Sequence, residues 1–119
     1  MALATHHGGC HCGAVRYTVD IDLAADALTC NCSMCGRGGA MMMFTPAGSF
    51  VLEQGADNLK DYFFNKHVIN HQFCTTCGIK SFARGKTPKG DEMVMINVRC
   101  LDGIDVFAQP TKRFDGKSA

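Results

Sequence analysis

The stretch Gly8-Gly9-Cys10-His11-Cys12-Gly13 contains a closely spaced pair of cysteines, and a second pair follows as Cys74-Thr75-Thr76-Cys77-Gly78. Residues two apart in a strand point to the same face, so Cys10 and Cys12 can direct both sulfurs at one ion. The glycine after Cys77 allows a positive φ where the chain bends around a metal. Both pairs have the spacing of metal ligands, and a shared ion would fix the N-terminal strand to the middle of the chain.

The remaining cysteines form a third cluster and one isolated position. The cluster is Cys30-Asn31-Cys32-Ser33-Met34-Cys35, Cys100 stands alone, and the chain has 8 cysteines in 119 residues. Such a count indicates disulfides in secreted chains but metal binding or redox chemistry in cytosolic ones. Met1–Gly9 lacks the basic start and apolar run of a signal peptide. We therefore predict zinc, with iron in four-thiolate coordination as the alternative.

Composition indicates one small folded domain. The chain is 46% hydrophobic and 19% charged, and 12 Lys plus Arg against 11 Asp plus Glu leave a formal net charge of +1. This balance gives no electrostatic attraction to nucleic acid or to an anionic membrane. No apolar run approaches the ~20 residues of a spanning helix. The sequence predicts a soluble, cytoplasmic protein with no nucleic acid or membrane partner.

The hydrophobic pattern predicts a mainly β fold of short antiparallel sheets. Ala14–Asp20 alternates as a half-buried strand does, and no segment keeps a period of 3.6. Ser33–Gly39 is predicted as one helical turn, Ala108–Ala119 as an irregular tail, and His6 and His7 as a mobile terminus. The further strands are predicted at Leu28–Asn31, Met41–Thr45, Phe50–Gln54, Leu59–Asn65, Val68–Phe73, Lys80–Ala83 and Met93–Val98. The methionines at 41–43 are interpreted as core filling.

A count of ligands separates two candidate zinc sites. Closed structural sites take four protein ligands, whereas catalytic sites typically keep three and an open position. The two pairs supply the four thiolates of a closed site: Cys10, Cys12, Cys74 and Cys77. The third cluster supplies the three thiolates of an open site: Cys30, Cys32 and Cys35. Cys100 is interpreted as a small buried hydrophobe, with a fourth ligand of the second site as the alternative.

The histidines add weaker candidates. His11 would point away from an ion bound between its two neighbours on a strand. His67 and His71 are four apart on an apparent strand and face the same way. They are interpreted as satisfied or solvent-facing side chains, with metal binding or proton transfer as the alternative.

The cysteine segments resemble those of the glutathione-dependent formaldehyde-activating enzyme family, which also includes centromere protein V. The resemblance extends to the stretch Asn97-Val98-Arg99-Cys100-Leu101-Asp102-Gly103. The resemblance implies a single domain over 1–119, with a core at about 8–114 and tails at 1–7 and 115–119. It implies a β-tent fold with two zinc ions per chain. The structural zinc would lie on Cys10, Cys12, Cys74 and Cys77, and the catalytic zinc on Cys30, Cys32 and Cys35.

The activity implied by the resemblance is that of a carbon–sulfur lyase. Glutathione is the co-substrate, and its thiol joins formaldehyde or a related small aldehyde to give S-(hydroxymethyl)glutathione. Three thiolates on Zn²⁺ leave a net charge of −1, which suits the binding of another thiol better than the activation of water. Arg37, Lys66 and Arg84 are candidates for holding the carboxylates of glutathione.

Two departures from the family pattern bear on the substrate. Many members have a histidine where this chain has Asn31, and often a basic residue where it has Gly36. The chain also ends without the Trp that related chains often carry. The alternatives are therefore the same site acting on another thiol or electrophile, or a non-catalytic zinc-binding interaction module. The sequence does not indicate an oligomeric state.

Overall fold

A computed structural model describes residues 3–63 and 69–118. Within these ranges the chain is mainly β, as predicted, with one short helix, α1, at Ser33–Gly38. The strands are Ala4–Gly9 (β1), Arg16–Ile21 (β2), Ala27–Cys30 (β3), Met42–Pro46 (β4), Phe50–Gln54 (β5), Leu59–Tyr62 (β6), Asn70–Cys74 (β7), Phe82–Lys86 (β8), Glu92–Asn97 (β9) and Thr111–Phe114 (β10). Single 3-10 turns lie at Ala47–Ser49, Ala56–Asn58 and Val98–Cys100.

The strands form two sheets. The smaller sheet has the order β1-β2-β5, and the larger has the order β10-β3-β4-β9-β8-β7-β6. The named strands pair antiparallel, as predicted, except that β10 runs parallel to β3 with Phe114 opposite Cys30. This parallel pair brings the C-terminal strand beside the first residue of the third cysteine cluster.

Three aromatic rings join the two sheets in the core. Tyr17 on β2 is fully buried, and its ring centroid lies 5.1 Å from that of Phe50 on β5 and 5.7 Å from that of Phe82 on β8. The Tyr17 hydroxyl donates to the carbonyl oxygen of Ser81 at 3.0 Å. Alternate residues of β2 face this core because side chains of a strand alternate between its faces.

The methionine run fills core space, as predicted. Met41 and Met43 pack in the main core, and Met42 joins a smaller cluster with Ala83 and Met95. The flexible thioether side chains suit these irregular spaces between sheets.

Two terminal segments differ from the sequence predictions. His6 and His7 lie in β1, which pairs with β2 along its length from Ala4 opposite Ile21 to Gly9 opposite Arg16, and are not a mobile terminus. Residues 111–114 form β10 within the segment predicted to be irregular. The four residues of β10 are exposed and the buried residues of β1 are two glycines, so neither strand shows hydrophobic alternation and both owe their conformation to backbone pairing.

The ends of other strands differ from the predictions by a few residues. The strand predicted at Leu59–Asn65 is observed as Leu59–Tyr62, and that predicted at Val68–Phe73 as Asn70–Cys74. Residues 64–68, with Lys66 and His67, lie outside the described ranges. No helix in the described part of the chain has the length and apolarity to cross a membrane.

Candidate metal centres

The first cysteine cluster lies where a turn of the small sheet meets a turn of the large sheet. Cys10 and Cys12 lie in the turn between β1 and β2, whereas Cys74 ends β7 and Cys77 lies in the turn that follows. Glycines with positive φ close both turns, with φ +85° at Gly13 and +80° at Gly78. The sequence predicted that Cys10 and Cys12 lie on a strand. In the structure they lie in a turn instead.

The four sulfurs are close enough to bind one ion. All lie within 4.8 Å of one another, and Sγ of Cys12 is 3.6 Å from Sγ of both Cys10 and Cys74. Tetrahedral Zn²⁺ with Zn–S bonds of about 2.3 Å separates its sulfurs by about 3.8 Å. The cluster, hereafter the four-cysteine centre, fits a tetrahedral thiolate-bound metal.

Hydrogen-bond donors lie against two sulfurs of the four-cysteine centre. The backbone N–H of Val15 donates to Sγ of Cys10 at 3.3 Å, and Nδ2 of Asn58 donates to Sγ of Cys74 at 3.3 Å. Hydrogen bonds from backbone N–H groups, first that of Cys77, lower the pKa of Cys74 to about 6. Asn58 also accepts from the Thr75 hydroxyl at 2.9 Å, which holds the second turn in place. The sequence alone did not indicate Asn58, because it lies far along the chain from either pair.

The second cluster is built at the junction of β3 and α1. Cys30 ends β3, Cys32 is the N-cap of α1, and Cys35 lies in its first turn. The backbone N–H of Cys35 donates to Sγ of Cys32 at 3.3 Å, and that of Cys32 donates to Sγ of Cys30 at 3.4 Å. The helical turn was predicted from Ser33, and the structure adds that its capping side chain is a cysteine.

The three sulfurs of this cluster also lie within 4.8 Å of one another. Among the residues that the structure describes, no further Cys, His, Asp or Glu joins the group. Three mutually close thiols with no fourth protein ligand fit a metal with one open position. We call Cys30, Cys32 and Cys35 the three-cysteine centre.

The thiols of the three-cysteine centre differ in acidity. Burial raises the pKa of Cys32, but hydrogen bonds from the backbone and side chain of Cys35 outweigh it, so this pKa is lowered. Burial and then the neighbouring Cys32 raise the pKa of Cys35 to about 12. A bound cation would favour the thiolate at each position.

The C-terminal tail passes over the three-cysteine centre. Nδ2 of Asn31 donates to Oδ1 of Asp115 at 2.9 Å, and the backbone N–H of Lys117 donates to Oδ1 of Asn31 at 2.9 Å. A Cβ at Gly116 would lie 2.5 Å from Sγ of Cys30, so a larger residue would have to displace the cysteine side chain or the tail. The tail, which was predicted to be irregular, thus forms one wall of the centre.

Cys100 lies beside the other centre. It is half-buried, and its pKa is raised to about 11 by burial and then by the charges of Cys10 and Cys77. It is grouped with neither set of sulfurs in the described residues. The geometry therefore does not support the alternative that Cys100 closes the three-cysteine centre.

The histidines take three different positions. His11 lies exposed in the first turn, and Nδ1 of His7 is 3.2 Å from the Thr18 hydroxyl. His71 on β7 is buried, and its Nδ1 lies 3.1 Å from Nζ of Lys80. Burial and then the Lys80 charge lower the pKa of His71 to about 4.

Lys80 was not singled out from the sequence. It lies between the second cysteine turn and β8, and its side chain is half-buried. Burial lowers the pKa of the Lys80 ammonium, and the charges of Cys35 and Cys32 oppose that shift. The available signal was a lysine three residues after Cys77, directly before the buried residues Ser81 and Phe82.

Two candidate cations already have protein partners. Nη1 of Arg37 donates to the carbonyl of Ser33 at 3.1 Å. Nε of Arg84 donates to Oε1 of Gln72 at 3.1 Å, and its guanidinium lies 5.2 Å from the ring centroid of Phe50. The third candidate, Lys66, lies outside the described residues.

Fold and site together define a small, mainly β protein with two cysteine clusters that can each hold a metal ion. The family model of the glutathione-dependent formaldehyde-activating enzyme matches residues 5–115, and the chain belongs to this family. A crystal structure of a Rhodobacter sphaeroides protein is similar, with a TM-score of 0.78 and 32% identity over 91% of this chain and 99% of that one. Family membership points to formaldehyde activation with glutathione, and the clusters are compatible with zinc.

Proposed function

We propose that the chain is a zinc-dependent carbon–sulfur lyase that adds glutathione to formaldehyde, giving S-(hydroxymethyl)glutathione. The observation that carries this proposal is the three-cysteine centre, whose sulfurs lie within 4.8 Å of one another without a fourth protein ligand in the described residues. An open position beside three thiolates suits an incoming thiol. The family match supports glutathione and formaldehyde as the reactants.

In this reaction the protein would hold the zinc ion and limit access to it. Zn²⁺ at this centre would act as a Lewis acid that lowers the pKa of a thiol at the open position. Cys30, Cys32 and Cys35 hold the ion, and the tail held by Asn31 limits access on one side. The thiol sulfur forms the new bond to the aldehyde carbon, the C=O electron pair moves to oxygen, and that oxygen gains the proton that the thiol loses.

In this proposal the four-cysteine centre is a structural zinc site. Binding free energy in a closed site is folding free energy, and this centre joins the turns of both sheets. Two zinc ions per chain follow, with residues 1–119 acting as one domain around a core of about 8–114. We also propose a reducing compartment such as the cytoplasm, because all eight cysteines are free thiols in the structure.

The deciding experiment combines zinc counting with turnover. Native mass spectrometry gives the zinc count of wild type, Cys35→Ser and Cys100→Ser, with and without glutathione, and exchange NMR gives the rate above the uncatalysed reaction. We expect wild type and Cys100→Ser to hold two zinc ions and to be active. Cys35→Ser should retain one zinc and a folded structure but lose the rate above background.

An unchanged rate in a folded Cys35→Ser would refute the mechanism. Two inert zinc ions with no glutathione adduct and no turnover would favour a non-catalytic interaction module. Turnover of a different thiol or electrophile that depends on Cys35 would assign the same site to another substrate.

A further inference from the structure

Lys80 is half-buried and has no carboxylate partner among the described residues. In residues 3–63 and 69–118, the one ion pair with a carboxylate joins Arg16 and Asp102, not Lys80. Burial lowers the pKa of the Lys80 ammonium, and the charged forms of Cys35 and Cys32 oppose that shift. Burying a cation costs free energy unless an anion compensates it. Lys80 shares the lining of one cavity with Met34 of α1, the helix that carries Cys35, which places the lysine and that helix on the same space.

His71 fixes the direction of this ammonium. Nζ of Lys80 lies 3.1 Å from Nδ1 of His71, and an ammonium has only donors, so Nδ1 accepts. Behind the side chain, the Lys80 carbonyl accepts from Nδ2 of Asn97 at 3.1 Å. One donor position is thus used by a neutral imidazole, which leaves further N–H donors of the ammonium for a ligand.

A cavity separates Lys80 from the helix that carries the cysteines. It has a volume of about 240 Å³, and its walls include Met34, Phe73, Gly78, Ile79, Lys80 and Asn97. Met34 lies on α1 between Cys32 and Cys35, so the helix that follows Cys32 forms one wall of the cavity and Lys80 forms another. A water molecule occupies about 30 Å³ in the liquid, so the space admits the thiol-bearing end of a larger molecule together with a one-carbon electrophile.

We propose that Lys80 is the anion-binding catalytic residue of the three-cysteine centre. A thiol would be held at this centre by its sulfur, and Lys80 would donate a hydrogen bond to an oxygen anion on the carbon next to that sulfur. This role rests on the proposed function, in which that oxygen anion is the one formed when the sulfur adds to the aldehyde. Donors already aimed at a developing oxyanion stabilise it more strongly in a water-poor site than in water. The proton lost by the thiol returns to the same oxygen, so the addition needs no other reactant.

A binding comparison tests the anion site without turnover. Thioglycolate carries an anionic group one carbon from its sulfur, and ethanethiol carries a methyl group there. Isothermal titration with each thiol is made on zinc-loaded wild type, Lys80→Met, Lys80→Arg and the exposed control Lys60→Met. We expect wild type and Lys60→Met to prefer thioglycolate by about tenfold or more, Lys80→Met to lose the preference and Lys80→Arg to keep part of it.

Turnover and metal content complete the test. With glutathione and formaldehyde, Lys80→Met should lower kcat by about 100-fold, as removal of an oxyanion donor does, with little change in KM for glutathione. The zinc count by native mass spectrometry should remain that of wild type.

Each result has one interpretation. A thioglycolate preference that survives in Lys80→Met, or zinc loss in both Lys80 variants, overturns the proposal. A Lys80-dependent preference in a protein without turnover of formaldehyde would refute the proposed reaction while supporting the anion site. Equal losses of kcat and of ethanethiol affinity would assign Lys80 to thiol binding and overturn its oxyanion role.

Discussion

At the residue scale, Tyr17 joins the two sheets by both its ring and its hydroxyl. The ring packs between Phe50 and Phe82, and the hydroxyl donates to the Ser81 carbonyl at 3.0 Å. Tyr17→Phe keeps the packing and removes the hydrogen bond, so we expect the free energy of unfolding to fall by about 1 kcal/mol. The Ser81 carbonyl still accepts from the backbone N–H of Asn97, which limits the loss.

Urea denaturation of the zinc-loaded protein measures this change, with an unaltered m value expected. Tyr17→Leu serves as the comparison, because it also removes ring packing and should cost at least about twice as much. Equal stability of wild type and Tyr17→Phe would show that the hydroxyl contributes nothing to the junction of the sheets.

His71 predicts a pH dependence of stability. Burial and the Lys80 charge lower its folded-state pKa to about 4, whereas the unfolded chain keeps about 6.5. Between these values the unfolded chain binds more protons, so the free energy of unfolding falls as pH falls from about 6.5 to 4. The contribution is fully present above pH 6.5, and at most about 2 kcal/mol of it is lost at pH 5.

Acid would also protonate thiolates of the proposed zinc sites, so the effect of His71 is isolated by difference. His71→Asn retains an acceptor for Lys80 but has no imidazole to titrate. Chemical denaturation at pH 7 and pH 5 should show a smaller loss of stability for His71→Asn than for wild type. The same loss in both proteins would mean that His71 does not contribute to acid sensitivity.

At the element scale, β10 and the following tail depend on a side chain of the cysteine segment itself. Asn31 bonds Asp115 and the backbone of Lys117, and Gly116 lies against Cys30. Removing the amide in Asn31→Ala should release the tail and expose the centre. We expect iodoacetamide to modify Cys30 several-fold faster in the zinc-free protein, as peptide mapping would measure.

Asp26→Ala is the matched control, because Asp26 is an exposed carboxylate in the loop before β3. Asp115→Ala should reproduce part of the effect by removing one of the two hydrogen bonds. If Asn31→Ala and Asp26→Ala react at the same rate, the tail does not shield the cysteine.

The same elements show what sequence reasoning could reach. The strand at β2 was predictable because Tyr17, Val19 and Ile21 alternate toward the core. The strands β1 and β10 have no such pattern. Their neighbours in the sheet hold them through backbone hydrogen bonds, which leave no signal in the sequence.

For the site, local spacing was enough to identify each pair and the cluster, whose members are at most five positions apart, whereas joining the two pairs in one site required a count of ligands. Lys80, Asn58 and Asp115 reach the centres only through the tertiary fold. Their positions could not be read from neighbouring residues, because distant strands and turns have to meet before these side chains contact a sulfur or its neighbours.

At the scale of the whole molecule, the two centres join segments at different separations along the chain. The four-cysteine centre joins the β1–β2 turn of the small sheet to the end of β7 in the large sheet. The three-cysteine centre joins residues no more than five positions apart, so its loss opens only a short loop. A cross-link that closes a long loop restricts the unfolded chain more than one that closes a short loop.

This difference predicts unequal effects of two like substitutions. Cys12→Ser should lower the melting temperature by at least about 10 °C or prevent folding, because a structural site contributes its metal-binding free energy to folding. Cys35→Ser should lower it by a few degrees at most. Differential scanning calorimetry at a known zinc content measures both, and an equal decrease in the two variants would mean that both centres support the fold.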